Sequence, residues 1–214
     1  MPVPSSSKYL SLGFVAIFSL LAISSNAADR FAKEAPERLL EYLSVDTVNP
    51  PGNEIKGAEF FAKYLKRAGI KYHIEESAPG RGNIWAKISG GDKPGIVLLN
   101  HMDVVPANEK FWSVPPYKGT IKDGFIYGRG AIDMKGLGMT QFQAFLSLAA
   151  SKKKLNRDVW FIGTADEEAG GNYGAGWLAK THPEIFENVG FLLNEGGVGF
   201  RVGDKVNFTV EVTQ

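Results

Sequence analysis

Hydrophobic residues recur at helical spacing in four parts of the chain. In the first part, Leu39, Leu40 and Leu43 fall on one helical face. The second part ends before Gly69, and glycine is a common C-terminal stop for a helix. The pattern predicts α-helices over residues 34–45, 54–68, 134–151 and 173–180.

Strand-like patterns fill the segments between these helices. Residues 71–75 and 83–88 alternate between apolar and polar, and residues 206–212 alternate like an outgoing strand. Three continuous apolar runs, typical of parallel strands buried on both faces, cover residues 95–100, 159–163 and 189–194. We therefore predict an α/β fold with a mostly parallel central sheet flanked by helices.

The composition excludes several classes of protein. The 214 residues include 24 Lys and Arg against 23 Asp and Glu, so the chain lacks the basic excess of a sequence-blind nucleic-acid binder. The absence of cysteine excludes a disulfide scaffold, an iron–sulfur cluster and a thiolate zinc site. Any metal ion must therefore be held by histidine and carboxylate side chains.

The N-terminal segment has the pattern of a secretory signal peptide. Lys8 precedes an apolar run over residues 9–23, and small residues lead to Ala27 and Ala28. We expect a signal peptide over residues 1–27, cleaved after Ala27 or Ala28, although an uncleaved anchor is an alternative. The domain would then cover residues 28–214, and the protein would be secreted or periplasmic, without stable membrane contact.

Each of the three apolar runs is followed by acidic or histidine residues. These residues are His101, Asp103, Glu167, Glu168 and Glu195. If the three strands are parallel neighbours, their carboxyl ends bring these groups to one edge of the sheet, where α/β proteins bind ligands. Asp133 adds a fifth acidic residue, in a glycine-rich loop that opens a helix. Several carboxylates around one imidazole would repel each other without cations, so the pattern predicts a site for zinc, cobalt or manganese.

These residues also form a set of motifs. His101-x-Asp103, Gly130-x-x-Asp133-x-Lys135-Gly136, Glu167-Glu168 and Glu195-Gly196-Gly197 resemble, in order and spacing, the co-catalytic zinc hydrolases. This family includes acetylornithine deacetylase, succinyl-diaminopimelate desuccinylase, aminoacylase-1 and carboxypeptidase G2. The resemblance extends from about residue 34 to residue 214.

The resemblance implies a role for each residue of the set. His101 and Glu195 would bind one divalent ion and Glu168 the other, with Asp133 bridging both. Asp103 would orient His101 from behind. Two divalent ions are expected, zinc in the first place and cobalt or manganese otherwise. The peptide bond that follows Asp133 is expected to be cis.

The implied reaction is the hydrolysis of an amide next to a free carboxylate. A water molecule between two cations has a lowered pKa, and Glu167 would be the general base that accepts its proton and passes it to the leaving amine. The expected substrate is a small peptide or an N-acyl amino acid, as for a metallopeptidase of the carboxypeptidase type. No nucleic-acid partner is expected.

The chain differs from the family in one respect. The family has a second metal-binding histidine far downstream, beyond an inserted dimerisation (lid) domain, and neither His73 nor His182 has that position. We therefore expect residues 28–214 to be the N-terminal part of a catalytic domain, truncated before that insertion. A homodimer is expected only through the missing domain.

Several alternatives stay open at the level of sequence. The chain could be an inactive fragment that binds metal or peptide without turnover, or a nucleotide-binding α/β domain, which the acidic strand ends disfavour. Asp133 could cap the following helix, Glu167 and Glu168 could be a solvated pair at a helix start, and Glu195 could be an ordinary turn residue. Three aromatic residues, Trp112, Tyr117 and Trp177, are expected to pack rather than to bind substrate.

Overall fold

The computed structural model describes residues 29–196 and 199–208. The predicted signal peptide and the last residues of the predicted strand 206–212 lie outside the described residues. These residues contain four α-helices: α1 over residues 29–43, α2 over Glu54–Arg67, α3 over Lys135–Ser151 and α4 over Ala175–Thr181. They confirm the four predicted helices within a few residues at most ends.

The described chain contains nine strands. They are β1 (Tyr72–Glu76), β2 (Gly82–Ile88), β3 (Lys93–His101), β4 (Thr120–Lys122), β5 (Phe125–Tyr127), β6 (Arg157–Thr164), β7 (Val189–Leu193), β8 (Gly199–Val202) and β9 (Lys205–Phe208). Five strands form the central sheet in the order β1-β2-β6-β3-β7. The other four form two separate antiparallel pairs, β4 with β5 and β8 with β9.

The central sheet is mostly parallel, as predicted. Strand β3 pairs in parallel with β6 on one side and with β7 on the other. Strand β2 is antiparallel to both of its neighbours, β1 and β6. Four of the five strands therefore run in the same direction, and the three apolar runs of the sequence are direct neighbours.

Two hydrophobic clusters cover the two faces of this sheet. Alternate strand residues point to opposite faces. Phe161 packs with Phe61 of α2 and Phe142 of α3 in the larger cluster, whereas Ile162 packs with Leu178 of α4 in the smaller one. Helices therefore lie on both faces, the arrangement expected for strands that are apolar along their whole length.

The hydrophobic pattern predicted neither strand β8 nor the β4–β5 hairpin. Each strand of the hairpin has only three residues, too few for a visible alternation. The turn between them consists of Asp123 and Gly124, both with positive φ angles of 52° and 80°. An Asp-Gly pair is a strong signal for such a hairpin turn, so this sequence feature could have located the element.

Among the described helices, none is long and apolar enough to cross a membrane.

Candidate metal centre

The carboxyl ends of three parallel strands bring the predicted site residues together. His101 is the last residue of β3, and Glu167 and Glu168 follow β6 in a short 3₁₀ turn. Glu195 follows β7 after a single intervening residue. The convergence expected from the strand order is therefore present in the fold.

The imidazole of His101 is at the centre of this group. Its Nε2 atom lies 3.0 Å from Oδ1 of Asp133 and 3.1 Å from Oε1 of Glu195. Glu167 is slightly farther away, with Oε2 at 3.8 Å from the same nitrogen. The other ring nitrogen, Nδ1, lies 3.0 Å from the backbone oxygen of Asp103. Because that oxygen can only accept a hydrogen bond, Nδ1 is the donor in this contact, and Nε2 is the ring nitrogen that faces the carboxylates.

Two overlapping sets of side chains are close enough to bind a metal ion. His101, Glu167 and Glu195 form one set, and His101, Asp133 and Glu168 form the other; within each set the ligand atoms lie within 4.8 Å of one another. The donors are one imidazole nitrogen and carboxylate oxygens, which suit zinc, cobalt or manganese. The donor chemistry of this centre therefore fits divalent ions.

The charges of the site show the same need for a cation. Burial raises the pKa of Glu168 and of Glu195, and the nearby charge of Asp133 raises both pKa values further. Burial alone would lower the pKa of His101, but the hydrogen bond and charge of Asp103, with the charges of Glu195 and Glu167, raise it to about 9. A proton on the imidazole thus balances the carboxylates, and a bound divalent ion would supply that positive charge instead.

Asp103 holds the acidic turn after β6 as well as the imidazole. Its fully buried carboxylate accepts hydrogen bonds from the backbone N–H groups of Glu167 and Glu168, both at 3.1 Å. It also accepts one from Nδ2 of Asn49 at 2.8 Å, and its Oδ1 atom lies 3.4 Å from Nδ1 of His101. Asp103 therefore fixes the position of His101 relative to both glutamates.

A network of buried polar side chains also holds the turn that carries Glu167 and Glu168. Arg81, in the turn between β1 and β2, donates to Oε1 of Glu54 at 2.6 Å and to Oδ1 of Asn49 at 3.0 Å. The same oxygen of Glu54 accepts a hydrogen bond from the backbone N–H of Asp166 at 3.1 Å. Asp166 has a left-handed backbone, with φ of 66°, and it directly precedes Glu167. The network therefore links α2 and the β1–β2 turn to the acidic turn.

No pattern in the sequence predicted this network. Asn49 and Arg81 stand in turn-like segments rich in proline and glycine, where polar residues are ordinary. Asn49, for example, also donates a hydrogen bond to Asp166, which lies 117 positions later in the chain. Such distant pairs leave no periodic pattern in a single sequence, so only the fold shows them.

Asp133 reaches the centre from the loop that precedes α3. The Asp133–Met134 peptide bond is cis, as expected from the resemblance. In this loop Gly130 has a φ of 89°, and a Cβ atom there would lie 2.8 Å from Cγ1 of Val104.

Lys135 is buried, donates to the backbone oxygens of Tyr42 and Val45, and has a pKa that burial lowers to about 7. Lys135 thus ties the start of α3 to the end of α1.

The structure bears on two of the alternative interpretations. Helix α3 has Met134 as its N-cap, with no side-chain capping hydrogen bond, so Asp133 is not the N-cap residue. Glu167 and Glu168 do begin a helical turn, a 3₁₀ turn of three residues, and the side chain of Glu167 is 52% exposed. Both glutamates nevertheless belong to the two sets of possible metal ligands.

The other two histidines lie elsewhere. His182, at the end of α4, contacts Oε2 of Glu75 and Oε1 of Glu184, both at 3.1 Å. His73, on β1, stacks on Trp85 with ring centroids 5.5 Å apart. Neither belongs to the two metal-binding sets of the described residues.

Comparison with known proteins gives the same assignment for most of the chain. Residues 97–213 match the model of Peptidase family M20/M25/M40. Acetylornithine deacetylase from Vibrio campbellii (strain ATCC BAA-1116) is 34% identical over 140 residues, which are 63% of this chain and 35% of the deacetylase. Aminoacylase-1 from Sus scrofa is 31% identical over 160 residues, which are 73% of this chain and 39% of the aminoacylase. The chain therefore spans less than half the length of these relatives.

A solved structure also resembles the fold. Human carnosine dipeptidase 1 superimposes with a TM-score of 0.64 at 25% sequence identity. The similarity covers 80% of this chain and 41% of the dipeptidase. The sheet and its helices thus belong to an architecture that is already known.

Proposed function

The chain belongs to peptidase family M20/M25/M40, and from this premise we propose that it is the metal-binding part of an exported hydrolase. The proposed reaction is the cleavage of an amide bond next to a free carboxylate, in a small peptide or an N-acyl amino acid. One observation carries the proposal: His101 and four carboxylates from separate segments converge at the carboxyl edge of three parallel strands. The acetyl-amino-acid and dipeptide chemistry in the names of the relatives supports this substrate class.

The residues of the centre would hold two divalent ions, zinc in the first place. His101 and Glu195 would bind one ion, Glu168 would bind the other, and Asp133 would lie between the two. When bound, these ions would polarise the amide carbonyl and lower the pKa of a water molecule between them. The remaining steps depend on the side chains of the chain itself.

Glu167 is the proposed general base. Its side chain is 52% exposed, and its carboxylate is the most distant of the three from Nε2 of His101. A carboxylate in this position is free to take a proton from water and to give it to the leaving amine. Asp103 contributes by holding the backbone of Glu167, which keeps that carboxylate facing the centre.

A metal-exchange experiment tests this function. The full-length gene product is stripped with a chelator, reloaded with zinc, cobalt or manganese, and assayed on N-acetyl amino acids and dipeptides. We expect no hydrolysis after stripping, recovery on reloading, and two tightly bound ions per chain. One tight ion without turnover would instead identify a protein that binds metal or peptide and is not an enzyme.

Export is a separate part of the proposal. It rests on the charge at Lys8, the apolar run over residues 9–23 and the small residues before Ala28. Mass spectrometry of the protein from its native host tests it. A mature N-terminus at residue 28 or 29 supports export, and a protein that retains residues 1–27 in the cytosol contradicts it.

A further inference from the structure

A groove adjoins the metal centre on the side of the β4–β5 hairpin. Its volume is about 320 Å³, and Asp133 contributes to its wall. Residues 128–131 and strand β5 of the hairpin also line it. Because Asp133 belongs to both the groove and the centre, the groove lies directly beside the centre.

The side chains of this groove are mainly apolar. Its walls include Trp112, Phe125, Ile126, Tyr127 and Ile132. Ile132 is 92% exposed and Phe125 is 67% exposed, although isoleucine and phenylalanine are usually buried. Trp112, expected from sequence to be a packing residue, is half-buried and lines the groove.

The two charged side chains that line the groove both have partners among neighbouring residues. The guanidinium of Arg129 lies over the ring of Trp112, 5.5 Å from its centroid, and its Nη2 donates to the backbone oxygen of Pro106 at 3.5 Å. Asp133 points to His101. The other side chains of the lining are hydrocarbon and aromatic, which disfavours a charged occupant there.

We propose that this groove is a specificity pocket that binds an aliphatic or aromatic group of the substrate, next to the amide bond that is cleaved. The proposal rests on the proposed function and adds the chemistry of one substrate group. Three observations carry it: the continuity of the groove with Asp133, the exposed apolar side chain of Ile132 immediately before that residue, and a volume at the lower end of the range for ligand pockets. The apolar group could belong to the acyl part or to the amino acid, and the experiment separates these two sources.

The test compares three substrates with the full-length, metal-loaded protein. N-acetylglycine lacks a large apolar group, N-acetylleucine has one on the amino acid, and N-(4-methylpentanoyl)glycine has one on the acyl part. We expect kcat/KM for one of the two larger substrates to exceed that for N-acetylglycine by about tenfold or more. The larger substrate that is preferred identifies which part of the substrate enters the groove.

Substitutions then connect this preference to the groove. Ile132→Ser and Phe125→Ser should each reduce kcat/KM for the preferred substrate about tenfold more than for N-acetylglycine. Ile121→Ser is the matched control, because Ile121 is 58% exposed on the same hairpin but does not line the groove. The control should leave the preference as in wild type, and the metal content of all variants should be equal.

Two results would overturn the pocket. Either the wild type shows no preference for the larger substrates, or Ile132→Ser and Phe125→Ser reduce all three rates by the same factor.

Calorimetric binding of N-acetylleucine, N-(4-methylpentanoyl)glycine and N-acetylglycine separates this failure from a failure of the proposed function. A protein that hydrolyses nothing but binds a larger ligand more tightly, and loses this difference in Ile132→Ser, keeps the pocket and rejects the reaction. Equal binding of all three ligands by a protein that hydrolyses nothing rejects both.

Discussion

Asp103 is buried next to the candidate metal centre, where it contacts both His101 and the turn that carries Glu167 and Glu168. Its carboxylate accepts the backbone N–H groups of Glu167 and Glu168 and lies beside His101. An asparagine at this position would turn an N–H group toward one of these donors. We predict that Asp103→Asn weakens metal binding 10- to 100-fold, as measured by competition with a chelating dye.

The control for this measurement is Asp204→Asn. Asp204 is fully exposed and pairs only with Arg201 among the described residues, so its removal should not change metal affinity. An Asp103→Asn variant with wild-type metal affinity would show that Asp103 does not position the centre.

Glu167 is expected to act on the reaction rather than on metal binding. Glutamine has nearly the same shape but cannot accept the proton of water. We predict that Glu167→Gln lowers kcat by a factor of 10² to 10⁴ in the full-length protein, with unchanged metal content. Steady-state kinetics and elemental analysis on the same sample provide the two values. Loss of metal together with activity would make Glu167 a ligand instead.

At the scale of elements, one buried ion pair joins α2 to the β1–β2 turn. Glu54 is fully buried, and its partner Arg81 is 13% exposed. Burial raises the pKa of Glu54, and the charge of Arg81 opposes that increase. We predict that Arg81→Met lowers the free energy of unfolding by about 3 kcal/mol, because it leaves a buried carboxylate without its partner.

Urea denaturation measures this change. The double variant Arg81→Met/Glu54→Gln should be more stable than Arg81→Met alone, because the unpaired charge is removed. Arg201→Met is the control: its ion pair with Asp204 is exposed, so the loss should be below about 0.5 kcal/mol. Equal losses for Arg81→Met and Arg201→Met would contradict the structural role of the buried pair.

Another carboxylate makes the stability of the sheet depend on pH. Asp158 of β6 accepts a hydrogen bond from the backbone N–H of Gly90 at 2.8 Å and lies 3.2 Å from Nζ of Lys87. The hydrogen bond from Gly90, with the charge of Lys87, lowers the pKa of Asp158 below its ordinary value of 3.8. A lowered pKa in the folded state stabilises the fold above pH 3.8, and this contribution disappears as the pH falls through the lowered pKa.

We therefore predict that Asp158→Asn destabilises the protein by about 0.5–1 kcal/mol at neutral pH. The difference from wild type should be constant above about pH 5 and should shrink as the pH falls below 3.8. Unfolding curves at several pH values measure it. A difference that stays the same at low pH would exclude the charge of Asp158 as its cause.

At the scale of the molecule, β7 is an exposed apolar edge of the described sheet. It pairs with β3 on one side, and among the described residues no strand pairs with its other side. Phe191, Leu192 and Leu193 are each at least 50% exposed. An apolar strand edge of this kind promotes self-association.

We predict that the chain, expressed by itself, associates in a concentration-dependent way through this edge. Leu192→Lys should reduce the association measured by light scattering, because charged residues block edge-to-edge pairing. Ile121→Lys, at an exposed position on the β4–β5 hairpin, is the matched control and should have a smaller effect. Equal effects of the two substitutions would contradict an association through β7.

Most of the fold could be predicted because local patterns specify it. The helical spacing of leucines in α1 and the continuous apolar run of β3 each give an element its type and its buried surface. The short β4–β5 hairpin could not be found in this way, since three residues do not form a pattern. The exposure of Ile132 beside the centre could not be predicted from the sequence either, because exposure depends on how distant segments pack around a residue.

The residue types and their order along the chain were enough to predict the donor groups of the candidate centre. A chain without cysteine that places His101, Glu167 and Glu195 after three buried apolar runs can bring these groups together, because parallel strands share one carboxyl edge. How each group is held depends on contacts that only the folded chain makes. The contacts of Asp103 with Glu167 and Glu168, and of Arg81 with Glu54, join segments that are distant in sequence. Their geometry depends on strand order and helix packing, which no local pattern encodes.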